Sequence, residues 1–526
     1  MLLARLAIAS SLVMTLALLG CSVQGPIKSG PVPIGLQDAP LEKPAAHPKT
    51  GQVPRIESAE CVTQELIEAG AKCFLFFGQE NRDAPNGTVV ELPVAVIAPE
   101  NENDPPDPDP LFFFPGGPGL SALDEFEWIR GDAGNRTVVL VEHRGFVHAK
   151  PTLSCPGSAI SPYLNPLSPV VVSSADLLER IGMYTAVVER CYAKLIREGI
   201  DVSRYNEYEI SRDTDEIREL LSYDKINLYG YSTGGGTVIS YLRYFSATVR
   251  SFVLGAPWYG EYRNRAALDE FYTLKQTYTD ILAICVAEDP RCRERIPAWY
   301  YEIDRARRVL DDKPYLKTVQ TEDGKAVTLT LNGAAFMGKL YLNFENLYMK
   351  LPNVLARVQR GDYSVLDDFF ETDQWTEVSP DDNDDSMPFG YYLAHLCGDL
   401  GTNRPTQDDV LAMLKREPAL LGFEDLKFCA WWGADGAVPP NHNDRFHSDV
   451  PGLSLHGQVD VWCTIRWGYY VAKTMPNLQL VELQGLGHEL PGECRPKLIT
   501  AFLGDPYAKI DDSCKNDTSM EPWVLE

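Results

Sequence analysis

The chain has 526 residues and a formal net charge of −26, with 44% hydrophobic and 23% charged residues. This composition is typical of a globular protein, and the length allows two or three domains. The negative charge argues against nucleic acid as a partner and against a polybasic membrane-surface role, because both need clustered Lys and Arg. The net charge bears on solubility more than on chemistry, and it does not indicate the oligomeric state.

Residues 1–21 have the pattern of a signal peptide for export. Arg5 precedes an apolar run from Leu6 to Leu19, which is too short for a membrane-spanning helix, and the run ends in the letters LLGC at Cys21. That ending resembles a bacterial lipobox, in which the cysteine becomes the lipidated N-terminus. Leu19 is a less usual residue at its place, so cleavage by the general signal peptidase is the alternative. With lipidation, Ser22 points to the outer membrane, facing the periplasm or the cell surface, and a lipid on Cys21 would be the only membrane attachment.

Twelve cysteines suit an oxidising compartment such as the periplasm. Setting Cys21 aside leaves an odd number, so one cysteine should be unpaired. Spacing does not establish connectivity, and metal binding is the competing interpretation, although no CxxC pair or His-rich cluster supports it. No phosphate-binding loop suggests a cofactor. Pairing sequence neighbours leaves Cys463 over and suggests Cys61–Cys73, Cys155–Cys191, Cys285–Cys292, Cys397–Cys429 and Cys494–Cys514.

Short apolar runs between turn signals predict buried parallel strands, and segments with helical spacing separate most of them. This alternation predicts a mostly parallel sheet with helices on both faces. Between about 260 and 450 helical, Tyr- and Trp-rich segments replace it, as expected of an insertion that lies over the site as a lid. The predicted strands are 89–97, 111–114, 137–141, 226–229, 251–254, 453–455 and 478–483, and the helices are 176–197, 213–221 and 237–244.

The chain therefore divides into five predicted segments. A signal peptide is followed by a flexible tether rich in Pro, Gly and Lys, and the tether by a sheet domain that a mainly helical cap interrupts. The boundaries are 1–21 for the signal peptide, 22–55 for the tether, 56–259 for the first part of the core, 260–450 for the cap, and 451–526 for the second part of the core with the C-terminal tail.

The most specific motif is the sequence GYSTG at 230–234, directly after one predicted strand and before a helix. In this context G-x-S-x-G is the nucleophile elbow of the α/β-hydrolase fold, which lifts the hydroxyl of Ser232 above the sheet. Glycines flank the serine because bulky side chains would collide in so tight a turn. A structural glycine turn is the alternative interpretation.

A serine hydroxyl needs a base, and the base needs a carboxylate that fixes its tautomer. His488 lies in a glycine-flanked loop after the last predicted strand, and Asp460 follows the strand before it. Both lie at carboxyl ends of strands, and the chain order Ser, Asp, His is the order expected of this fold. A surface histidine and a loop aspartate are the plain alternatives. The weaker candidates are Glu482 and Glu489 for the acid, and His143, His395 and His456 for the base.

The negative charge that develops on a substrate carbonyl needs fixed backbone donors. The amide of Thr233, next to the nucleophile, should be one donor. The other should come from the loop PGGPG at 115–119, which follows the strand 111–114. Glycines let the backbone approach a substrate closely, and Gly117 is the first choice, with Gly116 next.

Further segments resemble the proline iminopeptidase and tripeptidyl aminopeptidase family of α/β-hydrolases. The loop 115–119 resembles that family's GGPG loop, residues 142–145 resemble its DQRG strand end, and 457–464 and 485–488 match its acid and histidine loops. The resemblance spans about 60–260 and 450–515 and covers the cap only loosely. The chain departs from the family pattern at Pro115, Thr233 and Arg466, which puts substrate preference in doubt more than hydrolysis.

The resemblance implies a serine peptidase that removes N-terminal residues from short peptides. Such an enzyme also recognises the free amine, normally with a lid carboxylate, and Glu345 and Asp399 are the candidates; each has a surface or structural acid as its plain alternative. The tyrosines and tryptophans at 391–392 and 431–432 either line an apolar subsite or belong to a core. A carboxylesterase or lipase on the same fold is the first rival function, and a non-catalytic binding protein on a hydrolase scaffold is the second.

Overall fold

The structure is a computed structural model. It describes residues 53–84, 87–99, 107–117, 119–155, 174–258, 266–321, 324–370, 388–399, 406, 408, 424–433 and 438–526. The predicted signal peptide, the lipidation site Cys21 and nearly all of the tether lie outside these residues. Within them, no helix is both long and apolar enough to cross a bilayer.

The described strands form a large sheet and a separate antiparallel pair. They are β1 (Arg55–Ser58), β2 (Lys72–Gln79), β3 (Val89–Ile97), β4 (Leu111–Phe114), β5 (Val138–Val141), β6 (Ile226–Tyr231), β7 (Val249–Gly255), β8 (Tyr315–Gln320), β9 (Ala326–Leu331), β10 (Gly452–Gly457) and β11 (Leu478–Leu483). Nine of them form one sheet in the order β1-β2-β3-β5-β4-β6-β7-β10-β11. From β5 to β11 all neighbours are parallel, whereas β1, β2 and β3 pair antiparallel at one edge.

The helices separate these strands and fill the segment between β7 and β10. They are α1 (Gln64–Glu68), α2 (Phe126–Ile129), α3 (Ser174–Arg197), α4 (Glu207–Leu220), α5 (Gly234–Phe245), α6 (Ala266–Glu288), α7 (Pro290–Arg295), α8 (Glu302–Asp312), α9 (Gly333–Leu347), α10 (Leu351–Val358), α11 (Leu366–Phe370), α12 (Phe389–Gly398), α13 (Ile465–Val471) and α14 (Cys494–Gly504). Short 3-10 turns lie at 130–132, 202–204, 246–248, 299–301, 348–350, 424–430 and 513–516.

Strand β4 shows why the central strands read as continuous apolar runs. Leu111 and Phe113 pack into the core on one face of the sheet, and Phe112 and Phe114 pack into the core on the other face. Side chains alternate between the faces of a strand, so in a strand covered on both faces every side chain is buried and most are apolar. The predicted α/β fold with a mostly parallel sheet is confirmed.

The segment between β7 and β10 has a core of its own. Helices α6 and α8 to α11 contribute most of that core, and the pair β8–β9 lies within the same segment. Val459 and Val461, from the loop after β10, are buried in the same cluster. The loop that carries Asp460 therefore packs against this segment as well as against the sheet.

The five predicted disulfide pairs are confirmed. Cys463 is buried and forms no disulfide. The bonds join Cys61–Cys73, Cys155–Cys191, Cys285–Cys292, Cys397–Cys429 and Cys494–Cys514.

Candidate active site

Ser232 occupies a sharp turn between β6 and α5. Its φ of 52° lies in the left-handed region, which is rare for a residue with a side chain and marks a backbone held in place by its surroundings. The Ser232 N–H donates to Gly255 O at 2.9 Å, and the Ser232 carbonyl accepts from Gly235 N at 3.0 Å and from Trp258 N at 2.8 Å. These three bonds fix the serine at the carboxyl edge of the sheet.

The glycines of the elbow are needed for close packing. A Cβ on Gly230 would collide with the carbonyl of Gly234, and a Cβ on Gly234 would collide with the carbonyl of Phe114. Only glycine lets helix α5 begin so close to the ends of β4 and β6. The G-x-S-x-G pattern is therefore a steric requirement of this turn.

The structure brings His488 and Asp460 together. His488 Nδ1 lies 2.9 Å from Asp460 Oδ2, and Asp460 is fully buried. The other carboxylate oxygen of Asp460 accepts from the N–H groups of Trp462 and Cys463, both at 2.9 Å. Asp460 thus holds the imidazole by one oxygen while its own loop holds the other.

The elbow that carries Ser232 contacts the loop that carries His488. Strand β6 pairs with β7, β7 with β10 and β10 with β11, so the loops after β6, β10 and β11 leave the same edge of the sheet. Tyr231, the residue before the nucleophile, donates its hydroxyl to the carbonyl of His488, and the two rings are 5.7 Å apart. The elbow and the histidine loop are therefore in direct contact.

Two side chains from other elements touch His488. The Trp462 ring lies edge-on to the imidazole with 5.1 Å between centroids, and the half-buried carboxylate of Glu345, on α9, accepts the backbone N–H of His488. Glu345 was predicted as a substrate contact, and the structure places it at the site. Sequence reasoning missed Trp462, which carried no motif signal beyond its position in the acid loop.

Charges at the site alter two pKa values. Burial disfavours the charged imidazolium, but the carboxylate of Asp460 and the adjacent Cys463 raise the pKa of His488 well above its ordinary value of 6.5. Burial raises the pKa of Glu345 to about 7; the His488 N–H opposes this rise and the charge of Asp460 adds to it. At neutral pH Glu345 is therefore close to half protonated.

The loop after β4 reaches the nucleophile. A Cβ on Gly116 would lie 2.8 Å from the Cβ of Ser232, and Gly117 has a φ of 115°, which favours glycine. Thr233 connects the serine to the first residue of α5. The two predicted oxyanion donors, Gly117 and Thr233, thus lie on the two segments that flank Ser232.

The prediction of Asp399 as a substrate contact is corrected by the structure. It directly follows α12, is buried, and its carboxylate accepts the backbone N–H of Glu207 at 2.9 and 3.2 Å. His442 Nε2 lies 3.2 Å from the same carboxylate. Because the side chain is buried, with 1% of its surface exposed, it does not present a carboxylate to a peptide amine.

The other predicted candidates are in structural positions. His456 is fully buried and bonds through both ring nitrogens, to Ser454 Oγ at 2.9 Å and to Cys463 O at 3.1 Å. Burial lowers the pKa of both His143 and His456 to about 4. The aromatic residues proposed for a subsite belong to a core instead: Tyr391 and Trp432 are buried in it, and Tyr392 and Trp431 pack against it.

Among the residues that the structure describes, two groups of side chains have the residue types that hold metal ions. Asp460, Cys463 and His488 have ligand atoms within 4.8 Å of one another, as do Glu207, His395 and Asp399. The first group is the acid–base pair with its neighbouring thiol, and the second lies outside the candidate active site. The sequence predicted neither group as a metal site.

A mostly parallel sheet with a serine elbow after β6, an acid after β10 and a histidine after β11 defines the α/β-hydrolase fold. Comparisons with known proteins agree: a family model described as alpha/beta hydrolase fold matches residues 109–283. The chain is 28% identical to Serine protease Hip1 of Mycobacterium tuberculosis and of Mycobacterium bovis over 218 residues, or 40% of this chain and 40% of each relative. The match therefore spans two fifths of these relatives.

Solved structures align at low similarity. A proline iminopeptidase-related protein from Thermus thermophilus is 12% identical, with 79% of this chain and 90% of that chain covered and a TM-score of 0.31. An esterase from Exiguobacterium antarcticum is 11% identical, with 80% and 96% covered and a TM-score of 0.31. The fold assignment rests on the strand order and the site geometry described above.

Proposed function

We propose that the protein is a serine hydrolase in which Ser232 is the nucleophile, His488 the general base and Asp460 the residue that orients the base. The observation that carries this proposal is the 2.9 Å contact between His488 Nδ1 and Asp460 Oδ2 beside a serine held at a φ of 52°. With Nδ1–H donated to Asp460, the Nε2 of a neutral His488 has its lone pair available for the serine proton.

The proposed reaction has two halves. Ser232 Oγ attacks the substrate carbonyl while His488 accepts the hydroxyl proton, and the same imidazole then protonates the leaving amine. The backbone N–H groups of Gly117 and Thr233 stabilise the oxyanion, with Gly116 as the second choice on the β4 loop. Water, deprotonated by His488, then attacks the acyl carbonyl; the ester bond to Ser232 breaks, and His488 returns the proton to Ser232 Oγ.

We further propose that the substrate is a short peptide cleaved near its free N-terminus. The name of the curated relatives, a serine protease, supports a peptide bond as the target. Glu345 supports the preference for a free N-terminus. Its half-buried carboxylate accepts the backbone N–H of His488, so it lies close to the proposed reaction centre, where it could bind a substrate ammonium group. A bound ammonium group would favour the ionised form of Glu345 and lower its pKa from about 7.

The substrate class is tested with two pairs of peptide naphthylamides, each with a free and an N-acetylated member. We expect cleavage of the free members only, and in Glu345→Gln a roughly 10–100-fold lower kcat/KM on them, the value of one charge-assisted hydrogen bond. Gln keeps an oxygen that accepts the His488 N–H, so the histidine loop stays in place. Equal losses on an acyl ester without an amine would contradict amine binding by Glu345.

Glu489→Gln is the matched control for this test. Glu489 is exposed, follows His488 directly and is a glutamate like Glu345. We expect it to leave kcat/KM on the free members unchanged, since it removes a nearby carboxylate without removing the proposed amine partner. Turnover of p-nitrophenyl esters with no peptide cleavage would favour the esterase alternative, and absence of both activities would favour the binding-protein alternative.

We also propose that the protein is exported across the inner membrane and held at the outer membrane by a lipid on Cys21. The five disulfides support an oxidising compartment. Metabolic labelling with a fatty-acid analogue is expected to tag the wild-type chain and not Cys21→Ser. An untagged wild-type chain would contradict the anchor.

A further inference from the structure

A second group of ionisable side chains lies between α12 and the core, outside the proposed active site. Glu207 is the first residue of α4, His395 lies on α12, and Asp399 follows α12. All three are buried, with 2%, 3% and 1% of their surface exposed. Their carboxylate oxygens and a ring nitrogen lie within 4.8 Å of one another. We call these three residues the Glu207 cluster.

The spacing within the Glu207 cluster suits ligands of one small ion. His395 Nε2 is 3.5 Å from Glu207 Oε1. Two ligand atoms bound at about 2.0–2.2 Å in a tetrahedron stand roughly 3.3–3.5 Å apart. The observed separation therefore matches the edge of a tetrahedral site.

A second layer of residues orients the cluster, as it does around many metal sites. His442 Nε2 lies 3.2 Å from Asp399 Oδ1, and His442 Nδ1 bonds to the hydroxyl of Tyr244 at 2.9 Å. The rings of His442 and Tyr244 are stacked, with 6.0 Å between their centroids and 8° between their planes. Asn443 Nδ2 also donates to the backbone carbonyl of Asp399 at 2.6 Å.

The charge of the cluster also favours a cation. Glu207 and Asp399 place two carboxylates close together in the interior, where like charges are costly unless something neutralises them. A divalent cation would balance both. The competing arrangement uses two imidazolium–carboxylate pairs, His395 with Glu207 and His442 with Asp399, and requires no metal.

We propose that Glu207, His395 and Asp399 bind one divalent transition-metal cation, with His442 and Tyr244 as outer supports. One imidazole and two carboxylates without a thiolate suit Zn²⁺ or Mn²⁺. The site joins α12 to α4, and a Cβ on Gly236 in the first turn of α5 would collide with the Glu207 carboxylate. The cation thus fastens α12 against the helix that starts at the nucleophile.

The test measures metal bound to the purified full chain. After incubation with Zn²⁺ or Mn²⁺ and dialysis, we expect one bound cation per chain, loss of binding in His395→Gln and Asp399→Asn, and about 10–100-fold weaker binding in His442→Gln, the usual cost of losing an outer support. His488→Gln is the matched control, because it removes the histidine of the other ligand group. We expect it to bind the cation normally.

X-ray absorption of the zinc-loaded wild-type chain tests the site without a variant that might misfold. We expect nitrogen and oxygen ligands alone, and a higher melting temperature than for the metal-free chain. A sulfur ligand at about 2.3 Å would place the zinc at Cys463 and overturn the proposal. Loss of the metal in His488→Gln, its retention in His395→Gln, or the absence of stoichiometric binding of either cation would overturn it as well.

Discussion

The two carboxylate oxygens of Asp460 have different partners. Oδ2 contacts His488 Nδ1, and Oδ1 accepts the N–H groups of Trp462 and Cys463 from its own loop. The loop bonds keep the carboxylate from rotating, so the tautomer of His488 is fixed before a substrate binds. Preorganisation of this kind lowers the cost of reaching the charged transition state.

Asp460→Asn is predicted to change both the rate and the pH dependence of acylation. Activity requires neutral His488, so it rises with pH through the pKa of His488, which the carboxylate raises well above 6.5. Without that charge burial dominates and the midpoint moves to lower pH, while the maximal rate falls by on the order of 10⁴-fold, as in other triads. The measurement is the rate of inactivation by a fluorophosphonate across the neutral and alkaline range.

The control for this prediction is Asp449→Asn, because Asp449 forms an exposed pair with His447 at 2.9 Å. This variant is expected to leave the rate and the midpoint unchanged. An unchanged midpoint in Asp460→Asn would show that Asp460 does not set the pKa of His488.

Helix α9 contacts both the loop that carries Asp460 and the loop that carries His488. Glu345 accepts the N–H of His488, and the carbonyl of Tyr341 accepts Trp462 Nε1–H at 2.6 Å. Asn343, between the two contacts, departs from helical geometry with φ −132° and ψ 20°, so α9 is kinked where it crosses the site. A displacement of α9 would therefore move the acid loop and the histidine loop together.

Trp462→Phe is predicted to lower kcat by about 3–10-fold, the value of one net hydrogen bond, because the acid loop loses its bond to α9. Phe keeps an aromatic ring beside His488. Tyr341→Phe is the matched control, since it keeps the carbonyl that accepts the bond, and we expect nearly unchanged kcat. Full kcat in Trp462→Phe would show that this contact does not position the acid loop.

The sequence predicts the elements whose patterns are set locally. The runs at 89–97, 111–114 and 478–483 coincide with β3, β4 and β11. Strand β4 has no polar residue because both of its faces are buried, whereas β3 and β11 remain recognisable as short, mostly apolar runs although they contain Glu91, Gln479 and Glu482. Helix α4 starts at Glu207, earlier than the predicted 213, because Asn206 caps it by accepting Glu209 N at 2.9 Å. That cap is a readable signal.

Four strands were not predicted. Strand β2 was missed although residues 73–77 form an apolar run, and the other three have weaker patterns. Strand β1 has only four residues and is half-exposed or exposed, so it has no apolar run. Strands β8 and β9 alternate exposed and more buried positions in a segment predicted as helical. Their pairing depends on packing against the helices between β7 and β10, which a single sequence does not indicate.

The C-terminal tail connects distant parts of the molecule. After α14 the Cys494–Cys514 disulfide ties the tail back to the core, and Gln484 N donates to Lys515 O at 2.9 Å. Farther on, Val524 N donates to Met349 O at 2.9 Å, and Leu525 packs against the Cys285–Cys292 disulfide. The tail therefore runs from beside the histidine loop to the segment between β7 and β10.

Removing the disulfide with the double variant Cys494→Ser and Cys514→Ser is predicted to lower the free energy of unfolding by about 3 kcal/mol, the chain-entropy value for a loop of this size. Faster proteolysis at the tail is expected with it. The control is Cys61→Ser with Cys73→Ser, which should cost a similar free energy without exposing the tail. If the tail resisted proteolysis equally in both variants, the Cys494–Cys514 disulfide would not be what anchors it.

Long-range contacts mark the limit of the sequence interpretation. Ser232, Asp460 and His488 could be predicted as one site because each follows a recognisable strand, at the same edge of the sheet. The contact of Glu345 with His488 and the Glu207 cluster join segments more than 100 residues apart, and no spacing rule connects them. Asp399 was misassigned for this reason, since its burial depends on α4 and on His442.

The proposed chemistry is tested by mapping the site of covalent modification. The full chain is treated with a fluorophosphonate, digested, and sequenced by mass spectrometry. We expect one adduct on Ser232, none in Ser232→Ala, and slow modification in His488→Gln, whose amide cannot accept the serine proton. An adduct on another residue, or an unmodified Ser232 in the folded wild-type chain, would contradict the assignment of the nucleophile.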